Sequence, residues 1–247
     1  MIEVRGLTKV YPPDTVALRE VSIVIPDGQF VVLIGPSGAG KSTFLRCLNG
    51  LIAPTAGEVL VDGESVTRAR GDHLRRLRAR IGFVFQQFNL VKRRSVLENV
   101  LIGRLAHVPR ILSLFGWFPP RDRVAVESVL ARLRLGELAG RRADSLSGGQ
   151  QQRVAIARAL VQEPRLILAD EPMASLDPAL ARTVMDLLSQ INQEDRITVL
   201  TSLHVLDLAL AYGQRVIGLR DGRLVYDGRA AALGGKEIEA IFGEAGT

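Results

Sequence analysis

Gly35-Pro36-Ser37-Gly38-Ala39-Gly40-Lys41-Ser42 has the spacing G-x-x-x-x-G-K-S and follows the apolar run Phe30-Val31-Val32-Leu33-Ile34. A glycine loop between a buried strand and a helix is built to cradle phosphates. Glycines let backbone N–H groups converge on a phosphate, and the helix N-terminus behind them adds positive potential. In this pattern Lys41 reaches the β- and γ-phosphates and the Ser42 hydroxyl ligates Mg²⁺. The candidate phosphate-binding residues are Gly35, Pro36, Ser37, Gly38, Ala39, Gly40, Lys41, Ser42 and Thr43. A plain glycine turn is the alternative, and the strand and helix expected on either side argue against it.

Outward from the loop, the chain reads as α/β. Ile2-Glu3-Val4 and Val21-Ser22-Ile23-Val24-Ile25 read as strands from their alternating, β-branched residues, and Pro26-Asp27-Gly28 ends the second. The unbroken apolar character of residues 30–34 suits a strand buried on both faces. Residues 42–51 read as a helix closed by Asn49-Gly50, and 57–63 as a short strand and turn. A strand at 81–85 precedes a mainly helical stretch over 95–143. Residues 165–170, 197–203 and 215–219 read as buried strands, each after a helical stretch. That order implies a mostly parallel sheet covered by helices. A small strand and turn at 224–228 follow.

The 247 residues are 47% hydrophobic and 23% charged, enough for one sizeable core with a lobe inserted into it. The single cysteine, Cys47, excludes an internal disulfide and reads as packing on the apolar side of a helix. Met1-Ile2-Glu3-Val4-Arg5 does not open a signal peptide, and no apolar run approaches the roughly 20 residues of a membrane span. The chain is therefore expected on the cytoplasmic side. A net charge of +6 favours an anionic partner, either nucleic acid or the acidic face of a membrane. Arg75, Arg76, Arg78 and Arg80 are interleaved with Leu74, Leu77 and Ile81 at helical spacing and read as a solvated helix face. No aromatic residue stands among them to stack on bases, which argues against nucleic acid.

Leu166-Ile167-Leu168-Ala169-Asp170-Glu171 puts two carboxylates at the end of an apolar strand, where a parallel sheet binds ligands. Asp170 is placed to hold Mg²⁺, and Glu171 to orient and polarise an attacking water. Leu146-Ser147-Gly148-Gly149-Gln150 opens an amphipathic helix, and a hydroxyl with two glycines there forms a second anion site. Two phosphate sites so far apart in one chain suggest a nucleotide shared between two copies. His204, just after a third buried strand, can donate to a γ-phosphate.

This set of motifs resembles the ATP-binding subunit of ABC transporters over essentially the whole chain. The resemblance adds Gln86, after Phe83-Val84-Phe85, as a γ-phosphate and Mg²⁺ sensor. It also adds Ser175-Leu176-Asp177 as a dimer-facing loop and Tyr11 as the aromatic residue that stacks on adenine. Gln86 is chosen over Gln87 because it comes first after the strand. The resemblance implies a RecA-like P-loop core, a small antiparallel β lobe and a helical lobe. The β lobe and first part of the core span 1–86, the helical lobe 87–150, and the rest of the core 151–247. It implies a head-to-tail homodimer with ATP between the copies, each ATP on Lys41, Ser42 and Asp170 of one chain and Ser147 and Gly149 of the other. Gly148 and Gln150 complete the signature. The helical lobe would dock on a transmembrane permease subunit fed by a separate substrate-binding protein, making the chain peripheral to the membrane.

Finer stretches are similar to the phosphonate importer branch: Phe83-Val84-Phe85-Gln86-Gln87-Phe88-Asn89-Leu90, Ser95-Val96-Leu97-Glu98-Asn99-Val100-Leu101 and Ser113-Leu114-Phe115-Gly116-Trp117-Phe118-Pro119 among them. Two places depart from that branch. Lys92-Arg93-Arg94-Ser95 replaces a proline- and threonine-containing stretch, and Thr201-Ser202-Leu203 precedes His204 where asparagine is commoner before the leucine. The apolar segment 111–118 reads as a hairpin on its own lobe, with a docking surface for the membrane subunit as the alternative. A chromosome- or repair-type ATPase would carry long coiled coils between its nucleotide motifs, and none is present. A translation-factor relative would carry two cassettes, and a small-molecule kinase would not need the 146–150 signature. An exporter subunit remains open beside the importer.

Overall fold

The computed structural model describes residues 1–109, 111–112, 116–174 and 176–243. Two sheets organise them. Strands β1 (Ile2–Tyr11), β2 (Thr15–Ile25), β4 (Ala56–Val61) and β5 (Glu64–Ser65) form an antiparallel sheet in the order β2-β1-β4-β5. Strands β3 (Phe30–Ile34), β6 (Ile81–Val84), β7 (Leu166–Asp170), β8 (Thr198–Ser202), β9 (Arg215–Arg220) and β10 (Arg223–Arg229) form the second, in the order β10-β9-β3-β8-β7-β6. Its five pairings are four parallel ladders, β9 to β3, β3 to β8, β8 to β7 and β7 to β6, and one antiparallel ladder, β10 to β9, at the edge.

Strand β3 joins the two halves of the core. All five of its residues are buried. Phe30, Val32 and Ile34 face the helices, whereas Val31 and Leu33 face the layer closed by β1, β2 and the first helix, α1 (Lys41–Leu48). Its period of two therefore serves two apolar layers at once, which is why no polar residue interrupts it. Cys47 is buried in the second layer among Phe44, Leu45 and Leu48, as packing requires.

Between β6 and β7 the chain forms a helical lobe from α3 (Val96–Leu101), a 3₁₀ turn at Ile102–Ala106, α4 (Pro120–Arg132) and α5 (Gly148–Leu160), with α2 (Gly71–Ala79) preceding β6. The expected helical stretch over 95–143 is thus broken into short pieces. Gly103 must be small, because a Cβ there would stand 2.3 Å from the Arg158 carbonyl oxygen, and Pro109 and Pro119 punctuate the rest. Helix α5 runs through residue 150, so lobe and core share it; its buried face, Val154, Ala155, Ile156 and Ala157, belongs to the main core.

Helix α2 corrects the reading of the arginine cluster at three of its four positions; Arg76 is exposed, as that reading expects. Arg75 donates to the carbonyls of Leu105 and Val108, Arg78 to those of Asn49 and Gly50, and Arg80 to Glu64 at 2.6 Å. These guanidiniums fasten α2 to its neighbours, a use that helical spacing cannot show. In segment 111–118, Ser113, Leu114 and Phe115 lie outside the described residues. Phe118 packs on the lobe's core, whereas Ile111 and Trp117 are exposed, and the Trp117 N–H closes on the Leu112 carbonyl. The hairpin reading therefore holds for Phe118 but not for Trp117.

Candidate functional site

The glycine loop spans the gap between β3 and α1 with three left-handed or strained glycines: φ is +152° at Gly35, +82° at Gly38 and +98° at Gly40. Gly40 starts α1 against the β lobe, and a Cβ there would lie 2.3 Å from the Ala17 carbonyl oxygen. Only glycine satisfies both the turn and that approach. Lys41 is buried, with its Nζ donating to the Gly35 oxygen at 2.8 Å and the Pro36 oxygen at 3.0 Å. Burial lowers its pKa, and Glu171 and Asp170 partly offset that effect. The ammonium thus waits inside the loop, tied to carbonyls that an anion can replace as partner.

Asp170 ends β7 with no exposed surface. Its Oδ1 accepts from Ser42 Oγ at 2.7 Å and Ser202 Oγ at 3.2 Å, and its Oδ2 from an Arg46 nitrogen at 3.2 Å. The hydroxyl of α1 and the carboxylate of β7 therefore converge, as the spacing of the motifs predicts. Among the described residues no group of three His, Cys, Asp or Glu could hold a metal. A cation at Ser42 and Asp170 would take its other ligands from phosphate and water, which is the habit of Mg²⁺. The donor set fits that ion.

Glu171 follows at the rim of a 460 Å³ cleft, which Gln86 and His204 also line. The Gln86 amide donates to Glu171 at 3.1 Å. The structure thus brings three of the sequence-derived candidates together and sets Gln86 rather than Gln87 on the acidic pair. Tyr11 lies beside α1, its hydroxyl 3.4 Å from Thr43 Oγ1, with the Lys9 ammonium 5.0 Å from the ring centroid.

The signature residues lie elsewhere. Ser147 caps α5: its Oγ accepts from the Gln150 N–H at 3.3 Å while the Gln150 side chain accepts from the Ser147 N–H at 3.0 Å. This reciprocal cap orders the turn and leaves the helix N-terminus facing outward. The 240 Å³ hollow lined by Ser147, Gly149 and Gln150 shares no lining residue with the Glu171 cleft. Asp177 caps the next helix, α6 (Pro178–Asp195), accepting from the Ala179 and Leu180 N–H groups; Ser175 lies outside the described residues.

Three side chains at the site escaped the sequence reading as candidates: Arg46 and Ser202 on Asp170, and Arg158. The last reaches from α5 to the carbonyls of Asn89 at 2.6 Å and Phe88 at 2.8 Å. Both of those residues are left-handed, with φ of +50° and +58°. Arg158 so pins the turn just after Gln86 to the signature helix. Only the unusual serine at 202 left a trace in the sequence.

Residues 18–174 match the family model described as ABC transporter. The phosphonates import ATP-binding protein PhnC 3 of Halalkalibacterium halodurans is 48% identical over 243 residues, 98% of this chain and 94% of that protein. The phosphonates import ATP-binding protein of Staphylococcus haemolyticus is 50% identical over 242 residues, with the same coverage, 98% and 94%. A dimeric post-hydrolysis state of the ATP-binding cassette MJ0796, bound to ADP and Pi, aligns with a TM-score of 0.82 at 38% identity, covering 93% of this chain and 99% of that one.

Proposed function

The chain belongs to the ABC transporter family, and from that premise we propose that it is the ATP-hydrolysing motor subunit of an importer for phosphonate or a related phosphorus oxyanion. The observation that carries the cargo class is the 48% to 50% identity to phosphonate import proteins, which extends over nearly the whole of both chains.

In this reading ATP lies on residues 35–43, with Tyr11 against its adenine. Lys41 exchanges its loop carbonyls for the β- and γ-phosphates. Ser42 and Asp170, with Gln86 nearby, hold Mg²⁺, which when bound neutralises charge on those phosphates. Glu171 orients and polarises the attacking water, as a carboxylate at a cleft rim can, and His204 donates to the γ-phosphate. Ser147, Gly148, Gly149 and Gln150 come from a second copy of the chain, a reading supported by the similarity to a dimeric ATP-binding cassette. Donors from both copies then converge on one triphosphate, and hydrolysis removes the group that holds them together.

The helical lobe, 87–150, carries that closure to a transmembrane permease subunit, and a substrate-binding protein acts through the permease. In the same reading the chain is peripheral to the membrane, held by that permease on the cytoplasmic face; the described residues include no helix long and apolar enough to cross a membrane. Nucleic acid plays no part. The test is ATP hydrolysis by the chain assembled with its permease in liposomes, adding binding protein empty or loaded with phosphonate, phosphite or phosphate, and duplex DNA separately. Stimulation by a loaded binding protein alone supports the importer and names its cargo. Stimulation by DNA, with none from any loaded binding protein, overturns it.

A further inference from the structure

One hydroxyl that no motif assigns sits at the centre of the acidic pair. Ser202 ends β8 opposite Asp170 in the parallel register and has no exposed surface. Its Oγ accepts from the Glu171 N–H at 2.9 Å and donates to Asp170 Oδ1 at 3.2 Å. A serine hydroxyl has a single proton, so with the carboxylate as acceptor both bonds are accounted for. The same carboxylate oxygen takes the Ser42 hydroxyl at 2.7 Å. Glu171 has φ of +45°, a left-handed conformation that a residue with a Cβ adopts only when its surroundings hold it there. Two local bonds hold it: Ser202 on its N–H, and the Ala174 N–H on its carbonyl at 3.0 Å. Two residues beyond Ser202, His204 lines the same cleft as Glu171 and Gln86.

We propose that Ser202 is a positioning residue for hydrolysis: through one hydroxyl it sets the backbone of Glu171 and the carboxylate of Asp170 together, at the end of the strand that leads into His204. Among the described residues its hydroxyl makes no hydrogen bond to residues 35–43, and it does not line the cleft. This inference rests on the ATPase reading above. Without the hydroxyl, the Glu171 amide loses its partner and the left-handed turn is free to relax, carrying the carboxylate off its line. The phosphate contacts of residues 35–43 do not depend on it. The loss should therefore fall on kcat and spare ATP binding.

The experiment compares the full-length wild-type chain with Ser202→Ala and Ser202→Asn, by ATPase kinetics, ATP titration without Mg²⁺, and thermal melting. Asparagine carries both an acceptor and a donor. Ser202→Ala is expected to lower kcat on the order of tenfold to a hundredfold, the effect of a reacting carboxylate let off its line when the part-buried Glu171 amide loses its partner and the turn relaxes. ATP affinity and melting temperature should stay near wild type, and Ser202→Asn should recover most of kcat. Wild-type kcat in Ser202→Ala overturns the inference. So does a loss that asparagine does not relieve and that follows melting temperature or ATP affinity, which marks a packing role. A wild-type chain that binds but never hydrolyses ATP overturns the ATPase reading itself, a result distinct from an active wild type with an equally active alanine variant.

Discussion

Replacing Arg104 by leucine tests how the helical lobe is fastened. Arg104 lies in the 3₁₀ turn after α3 and retains 9% of its side-chain surface, while its partner Asp122, in α4, retains none. Its Nε donates to Asp122 Oδ1 at 2.9 Å, and one terminal nitrogen donates to the Val161 carbonyl at 2.8 Å and to Glu163 at 2.9 Å. The pair closes the base of the loop between residues 104 and 122 and ties it to the end of α5. Asp122 Oδ2 is also buried and has no hydrogen-bond partner among the described residues, so Arg104 is the one side chain among them that bonds this carboxylate. Breaking a buried pair from one side costs about 3–5 kcal/mol, because the remaining charge stays desolvated. For a chain of this size that is a fall of roughly 6–20 °C in melting temperature. The Glu163 contact adds little, since that side chain is 69% exposed. Urea unfolding followed by circular dichroism gives the difference directly. The double variant Arg104→Leu with Asp122→Leu should recover more than half of the loss, since no charge is then left buried. A single variant within about 0.5 kcal/mol of wild type, the range of ordinary surface changes, would refute the reasoning.

Other outcomes follow from the same geometry. Lys41→Ala should weaken ATP binding by about tenfold to a hundredfold, the worth of a charge-assisted contact, and titration calorimetry of the variant checks it. Arg158→Lys keeps a cation but cannot span the Phe88 and Asn89 carbonyls together; kcat should fall while ATP affinity, measured in parallel, holds. Burial pushes the Cys47 thiol up to about 11, so it stays protonated and sheltered at pH 8. Iodoacetamide should label it only as the chain opens, at a rate that rises with urea.

The sequence declared the buried parallel strands well, because a strand covered on both faces leaves an unbroken apolar run. Residues 30–34 match β3 to the residue. The β lobe was harder to delimit. Strands β1 and β2 extend to Tyr11 and Thr15, well beyond the short runs their pattern suggests, because one face is partly open and register shifts after Val4 and Leu7 break the alternation. At the site, the glycine loop, acidic pair and signature were legible since each is a local pattern imposed by phosphate or by a helix start. Ser202 and Arg158 were not, because their partners lie 31 and 70 residues away and only the sheet register and the packing of α5 bring them near.

The central claim is that two copies of this chain close on ATP and that Glu171 drives the hydrolysis that reopens them. It is tested most directly by light scattering of Glu171→Gln with ATP and Mg²⁺, alongside its hydrolysis rate. The expected result is a stable dimer that binds ATP and does not turn it over. A monomer that hydrolyses ATP at the wild-type rate would contradict both the shared site and the role of Glu171.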